Sequence, residues 1–154
     1  MYKDLTEREE DYLRGILEIQ RAKGYSRIRD ISEKVGVTPP SAVEMMRKLD
    51  DKMLVNYEKY GGVTLTSEGR RIARAISERH ETFRRFLEIL QVPKETATRD
   101  AHILEHQLHP TTILQFKRFV DFITDAPEHP RFVGRWMEMF KRYCQEKSSK
   151  EKDE

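Results

Sequence analysis

Val35-Gly36-Val37-Thr38-Pro39-Pro40-Ser41-Ala42-Val43 decides the fold of this chain. Gly36 supplies a tight turn, Thr38 carries the side-chain oxygen of a helix N-cap, and Pro39 falls at the first helical position, where its missing N–H is harmless. Upstream, Ile28, Ile31 and Val35 share one face of a short helix over 27–35; downstream, Val43, Met46 and Leu49 recur at core spacing. Two short helices joined by a glycine-containing turn predict a helix-turn-helix. The period then changes. Leu54–Glu58 and Val63–Thr66 read as strands around Lys59-Tyr60-Gly61-Gly62, a hairpin turn, so a wing follows the two helices.

The pattern extends outward as helix on both sides. Thr6-Glu7-Arg8-Glu9 is a capping-box start for a helix over 6–23, whose apolar residues are Tyr12, Leu13, Ile16, Leu17 and Ile19, with Gly24 as the stop. Thr66 opens a long helix to about residue 90, and Pro93 begins another that ends near His109-Pro110. Residues 111–124 form a further helix with Ile113, Phe116, Phe119, Val120 and Ile123 apolar. A turn over Ala126–Pro130 leads to a last helix over 131–146, bearing Phe132, Trp136, Met139, Phe140 and Tyr143. So broad an aromatic face packs within one core or meets a twin subunit. The reading is a mostly α protein: a winged helix-turn-helix domain over 1–70, a helical region over 71–146 and a polar tail over 147–154.

Composition narrows the class. Charged residues make up 36% of the 154, but both signs interleave and the net charge is only +2, so nucleic-acid binding has to be argued from where charges sit. Cys144 is the one cysteine, which rules out an internal disulfide framework and suits a reducing cytoplasm. No apolar run is long enough for a membrane span, and the polar Met1-Tyr2-Lys3-Asp4 start is no signal peptide.

Residues at the start of the third helix would face base edges in a major groove: Thr38, Pro39, Pro40, Ser41 and Glu44. The hydroxyls serve either base partner, a proline ring meets a thymine methyl, and Glu44 accepts from a cytosine amine. Arg47 and Lys48, one turn on, suit phosphates, as do Arg27 at the start of the second helix and Lys59 and Tyr60 at the wing tip. Surface cations on a winged helix used for protein contacts would look similar. The small Thr-Pro-Pro-Ser start favours DNA, because bulky groups there would block entry to the groove.

The second constellation is His102-Ile103-Leu104-Glu105-His106. Positions i, i+3 and i+4 share a helix face, so two imidazoles and a carboxylate converge there, as a divalent cation needs. His80 lies mid-helix and Asp11 lies on the first helix; if these helices pack together, five N/O donors meet. A lone helical histidine is ordinarily a surface or satisfied core residue, and Asp11 alone would be a carboxylate near a helix N-terminus. His109 shares the face but is set aside because Pro110 ends the helix. The same H-x-x-E-H spacing occurs in inverzincin peptidases, which need a further acidic ligand and a substrate chamber that the short remaining chain does not offer.

Taken in order, these parts resemble the diphtheria-toxin-repressor family of metalloregulators, in the short branch that includes the manganese transport regulators. The resemblance runs over about residues 7–125. It rests on Glu10-Asp11-Tyr12-Leu13, Lys23-Gly24-Tyr25, Val43 to Leu49, Tyr57-Glu58-Lys59-Tyr60, Leu65-Thr66-Ser67-Glu68-Gly69, Arg79-His80, Asp100-Ala101 and Glu105-His106. It implies a homodimer, not an enzyme, whose metal-loaded form occupies palindromic double-stranded operator DNA and represses metal-uptake genes. It further implies metal ligation by Asp11, His80, His102, Glu105 and His106. His102 stands where one branch has glutamate and the other cysteine, Thr98 replaces an auxiliary histidine, and Arg14 and Arg84 stand where carboxylates are found. Were both arginines to point inward, they would put positive charge where a second ion would sit, so one strong site per subunit is expected. Three imidazoles and two carboxylates without a thiolate suit Mn²⁺ first and Fe²⁺ second, with Zn²⁺ or Co²⁺ able to bind in vitro.

Overall fold

The computed structural model describes residues 5–124 and 131–150. The expected turn over Ala126–Pro130 and the side chain of Phe132 lie outside them, as does the end of the polar tail. The chain divides into two compact units, Met1–Glu78 and Arg79–Glu154.

The first unit holds α1 (Glu7–Lys23), α2 (Ile28–Val35), α3 (Pro39–Asp51), β1 (Val55–Glu58), β2 (Gly62–Leu65) and the start of α4 (Ser67–Ile89). Each boundary has a local cause. Thr6 caps α1 in a full capping box with Glu9, and Gly24 ends it at φ 80°, in the left-handed region. Gly36 ends α2 in the same way, at φ 73°. Thr38 accepts from the Ser41 backbone N–H and starts α3, with proline in its first turn. The two strands pair antiparallel, Val55 opposite Leu65 and Glu58 opposite Gly62.

Ser26 adds a contact that periodicity did not foresee. It bridges Val63 of β2: the Val63 N–H donates to the Ser26 carbonyl at 3.0 Å, and the Ser26 hydroxyl donates to the Val63 carbonyl at 2.6 Å. The wing is thereby stitched to the segment between α1 and α2. Tyr12, Leu13, Ile16 and Leu17 of α1 are buried with Ile31, Ala42, Met46, Leu49, Val55, Val63, Ile72 and Ile76 in one continuous core.

The wing also anchors α4. Thr66 donates from its hydroxyl to the Met53 carbonyl at 2.8 Å and accepts the Gly69 N–H at 3.0 Å, capping the helix while tying it to the turn between α3 and β1. Gly69 lies so close that a Cβ there would stand 1.8 Å from the Leu54 carbonyl oxygen. The glycine of the Thr66-Ser67-Glu68-Gly69 start is therefore a requirement of backbone approach.

In the second unit, the end of α4 is followed by α5 (Lys94–Gln107), α6 (Pro110–Thr124) and α7 (Arg131–Lys150). Phe83 and Phe86 of α4 pack on Phe116 of α6 with ring centroids 5.4 and 4.8 Å apart. Both are tilted or edge-on contacts of the kind aromatic rings prefer. Ala97 and Ala101 of α5 and Val120 and Ile123 of α6 are buried. α7 runs past residue 146 to Lys150 because no glycine or proline interrupts that polar stretch. Its Trp136, Met139 and Tyr143 are exposed rather than packed inside the subunit, and so are Leu114, Phe119 and Phe122 of α6. No helix among the described residues is long and apolar enough to cross a membrane.

Candidate metal centre and nucleic-acid interface

On the second unit, α4 supplies His80 and α5 supplies His102, Glu105 and His106. Glu105 is completely buried, and its Oε1 is the focus of three imidazoles. His102 Nδ1 lies 3.1 Å from that oxygen, His80 Nδ1 3.4 Å and His106 Nε2 3.5 Å. The helical i, i+3, i+4 spacing puts His102 and His106 on the Glu105 face of α5, with their rings edge-on at 4.9 Å between centroids.

The donors fit a divalent cation. Ligand atoms about 2.1 Å from an ion, roughly at right angles, stand about 3 Å from one another, and the observed separations are close to that. One donor atom from each of His102, Glu105 and His106 falls within 4.8 Å of the others. His80 Nδ1 is buried and makes no hydrogen bond, although buried polar nitrogens are nearly always satisfied. With no sulfur donor, the set is matched to ions that take nitrogen and oxygen.

Asp11 lies on α1 of the first unit. Arg14 Nη2 stands 3.5 Å from its Oδ1, and Arg14 Nε stands 4.0 Å from Glu18, which also pairs with Lys34 of α2 at 2.6 Å. Arg84 is held along α4 by Glu81 and Glu88, which raise its pKa, while Arg84 lowers that of Glu81. Both guanidinium charges are thus compensated by carboxylates on their own helices. Carboxylates at i−3 and i+4 share the helix face of such an arginine and are its nearest partners. His109 lies outside α5, which ends at Gln107; its Nδ1 accepts the Thr111 N–H at 3.3 Å at the start of α6.

The surface of the first unit presents the other set of residues. Thr38, Pro39, Pro40, Glu44, Arg47 and Lys48 are exposed on α3 and Ser41 is half-buried. Thr38 and Ser41 share a hydroxyl hydrogen bond at 3.0 Å, which orients both. Arg27 is exposed and lies over the Tyr25 ring, its guanidinium carbon 5.3 Å from the centroid; at the wing tip Lys59 lies over Tyr60 at 5.5 Å. Sequence reasoning missed Lys52, at the end of α3, which binds the buried Glu9 of α1 at 2.8 Å while Lys48 approaches the same oxygen at 3.3 Å. Glu9 is signalled in sequence only as a capping-box residue, and its second role is visible only once α1 and α3 are packed.

A winged helix-turn-helix in one unit and a three-histidine carboxylate cluster in the other define a metal-dependent DNA-binding regulator. Comparison with known proteins gives the particular family. Residues 4–63 match the iron dependent repressor N-terminal DNA binding domain, and residues 66–131 match the iron dependent repressor metal binding and dimerisation domain. The chain belongs to the iron-dependent repressor family and is a metal-dependent transcriptional regulator, not an enzyme.

Among its relatives is the HTH-type transcriptional regulator MntR of Bacillus subtilis, 36% identical over 116 residues, which are 75% of this chain and 82% of that protein. The MntR of Bacillus velezensis is 37% identical over the same shares. Among solved structures, a manganese-dependent transcriptional repressor in complex with manganese aligns with a TM-score of 0.62 and 30% identity, over 74% of this chain and 53% of that one. IdeR of T. acidophilum aligns with a TM-score of 0.64 and 28% identity, over 76% and 55%. The chain spans little more than half the length of those solved proteins.

Proposed function

We propose that this regulator senses Mn²⁺, with Fe²⁺ as the second choice, and that its metal-loaded homodimer represses metal-uptake genes from a palindromic operator in the cytoplasm. In this reading residues 1–70 contact DNA and residues 71–146 bind metal and dimerise. The observation that carries it is the convergence of His80, His102 and His106 on the buried Glu105. These four residues would hold the ion, and Asp11 is assigned as the fifth donor on the family resemblance. A bound ion supplies the positive charge that offsets the buried carboxylate. The similarity to a solved manganese-dependent transcriptional repressor supports the choice of Mn²⁺, and the absence of thiolate from the donor set agrees with it.

Zn²⁺ and Co²⁺ bind comparable nitrogen–oxygen sites in vitro, so bound zinc after purification does not identify the metal sensed. Five donors nearly fill the shell of one ion, and this donor count is the ground for one strong site per subunit. Asp11 belongs to the DNA-binding unit and the other four donors to the second unit, so a ligand set that includes Asp11 ties metal occupancy to DNA binding. The test is operator binding by metal-free protein titrated with Mn²⁺, Fe²⁺, Co²⁺ and Zn²⁺, beside calorimetry of each metal. Affinity should rise on addition of Mn²⁺ at one equivalent per subunit. Asp11→Ala should abolish activation more completely than metal binding. Equal operator affinity with and without chelator would remove the metal-sensing reading.

A further inference from the structure

Glu9 is a carboxylate with no exposed surface, lying on α1 rather than on any DNA-facing element. Oε2 is hydrogen-bonded, whereas Oε1 has no hydrogen bond and is met by charge alone. Oε2 accepts the Thr6 backbone N–H at 2.8 Å and the Thr6 hydroxyl at 3.1 Å. Oε1 faces Nζ of Lys52, the C-cap residue of α3, at 2.8 Å and Nζ of Lys48 within α3 at 3.3 Å. The Thr6 bonds pin the carboxylate to the α1 N-terminus, so the two lysines are held to a fixed point. Lys48 and the C-cap Lys52 are four residues apart, and both reach the same Glu9 oxygen from the last turn of α3. A clamp there restrains rotation of the helix about its axis.

Rotation is the coordinate on which base recognition depends. One residue step turns a helix by about 100°, so even a small change of setting re-aims the side chains facing the groove. Sequence-independent phosphate attraction tolerates such a change far better than base contacts do.

We propose that Glu9 is a positioning residue for DNA recognition: through Lys52 and Lys48 it fixes the rotational setting of α3 and so determines operator specificity without touching DNA. The inference rests on the reading of α3 as the recognition helix. Lys52 acts here as a structural cation. Lys48, which is half exposed, can also reach a phosphate while Lys52 keeps Glu9 compensated.

The experiment uses the full chain with Mn²⁺ and two DNA probes: the tightest duplex selected from a random library, and a mixed-sequence duplex. Glu9→Gln keeps the shape and the Thr6 contacts but removes the charge that holds the lysines. Its affinity for the selected duplex should fall about tenfold, while its affinity for mixed-sequence DNA stays the same or rises. A purely structural role would lower both affinities together, in step with the folded fraction measured by circular dichroism. Lys52→Gln should lose discrimination in the same way, and the double variant should be no worse than either single one, because both remove the same clamp. If Glu9→Gln fails to fold, Lys52→Gln alone decides. Unchanged discrimination in folded Glu9→Gln or Lys52→Gln, or losses that multiply in the double variant, would overturn the proposal. Arg47→Ala separates the two readings: if it leaves both probes unaffected, α3 is not the recognition helix, and if it weakens both while folded Glu9→Gln changes nothing, the clamp alone is wrong.

Discussion

Glu105 and Arg47 show how differently two charged residues can work in one small chain. Glu105 is buried with three imidazole nitrogens within 3.5 Å of one oxygen, so its negative charge has value chiefly when a cation joins the group. Glu105→Gln should therefore weaken Mn²⁺ binding by about 100-fold or more, beyond the roughly 10–100-fold that changes outside the ligand shell bring. Competition against a fluorescent chelator measures this, with circular dichroism to show that the helices persist. Arg47 is exposed on α3. Arg47→Ala should weaken binding to every DNA sequence alike and reduce the slope of log affinity against log salt by about 0.9, the signature of one lost phosphate contact. A selective loss on one sequence would instead make Arg47 a base reader. Glu9 adds a third use of charge. Burial pushes its pKa up, but Lys52, the Thr6 backbone and hydroxyl, and Lys48 together hold it down to about 2, so it stays ionised at neutral pH.

At the scale of elements, the joint between the wing and α4 is the least forgiving place in the first unit. Thr66 caps α4 and bonds the turn between α3 and β1, and Gly69 lies against the Leu54 carbonyl. Gly69→Ala would improve helix propensity, yet it places a methyl against backbone that cannot rotate away. It should destabilise the unit by about 1–3 kcal/mol, the range seen for overpacked sites. For a small domain that lowers the melting temperature by about 4–8 °C per kcal/mol, which a thermal melt detects. An unchanged or raised melting temperature would show that α4 shifts freely on the wing. The residues of this start are readable in sequence, but the reason for the glycine is not, because the clashing atom lies fifteen residues upstream.

At the scale of the whole molecule, the matched second domain is one of metal binding and dimerisation, and its apolar surface has the character that role requires. Phe119 and Phe122 on α6 are nearly half exposed, at 46% and 47%, more than a monomer core would leave to water. Phe122→Glu should shift the protein from dimer to monomer in analytical ultracentrifugation at micromolar concentration. It should also lower operator affinity by far more than metal affinity, since two linked half-site contacts become one. A dimer that survives the charge would place the interface on another face. The polar stretch at the end of α7 and the exposure of Trp136 were not legible from spacing, because an aromatic stripe looks the same whether it faces a core or a partner.

The sequence by itself determined the elements and their order. Thr6, Gly24, Gly36, Thr38 and Pro39 set helix ends through short-range hydrogen bonds and backbone preferences. The change of period after Leu49 marked the wing, and the helical spacing of His102, Glu105 and His106 put them on one face. Such features act over a few residues and need no knowledge of packing. Tertiary structure alone decided the contacts between residues far apart in the chain. It brought His80 to Glu105, bonded Ser26 to Val63, set Gly69 against Leu54 and clamped α3 to Glu9. It also set the rotamer by which Arg84 pairs with Glu81 and Glu88 along α4. The physical reason is common to all of these: which rotamer a long side chain takes, and which backbone atom meets a neighbour, depends on how helices pack, and helical periodicity specifies only the face that a residue occupies.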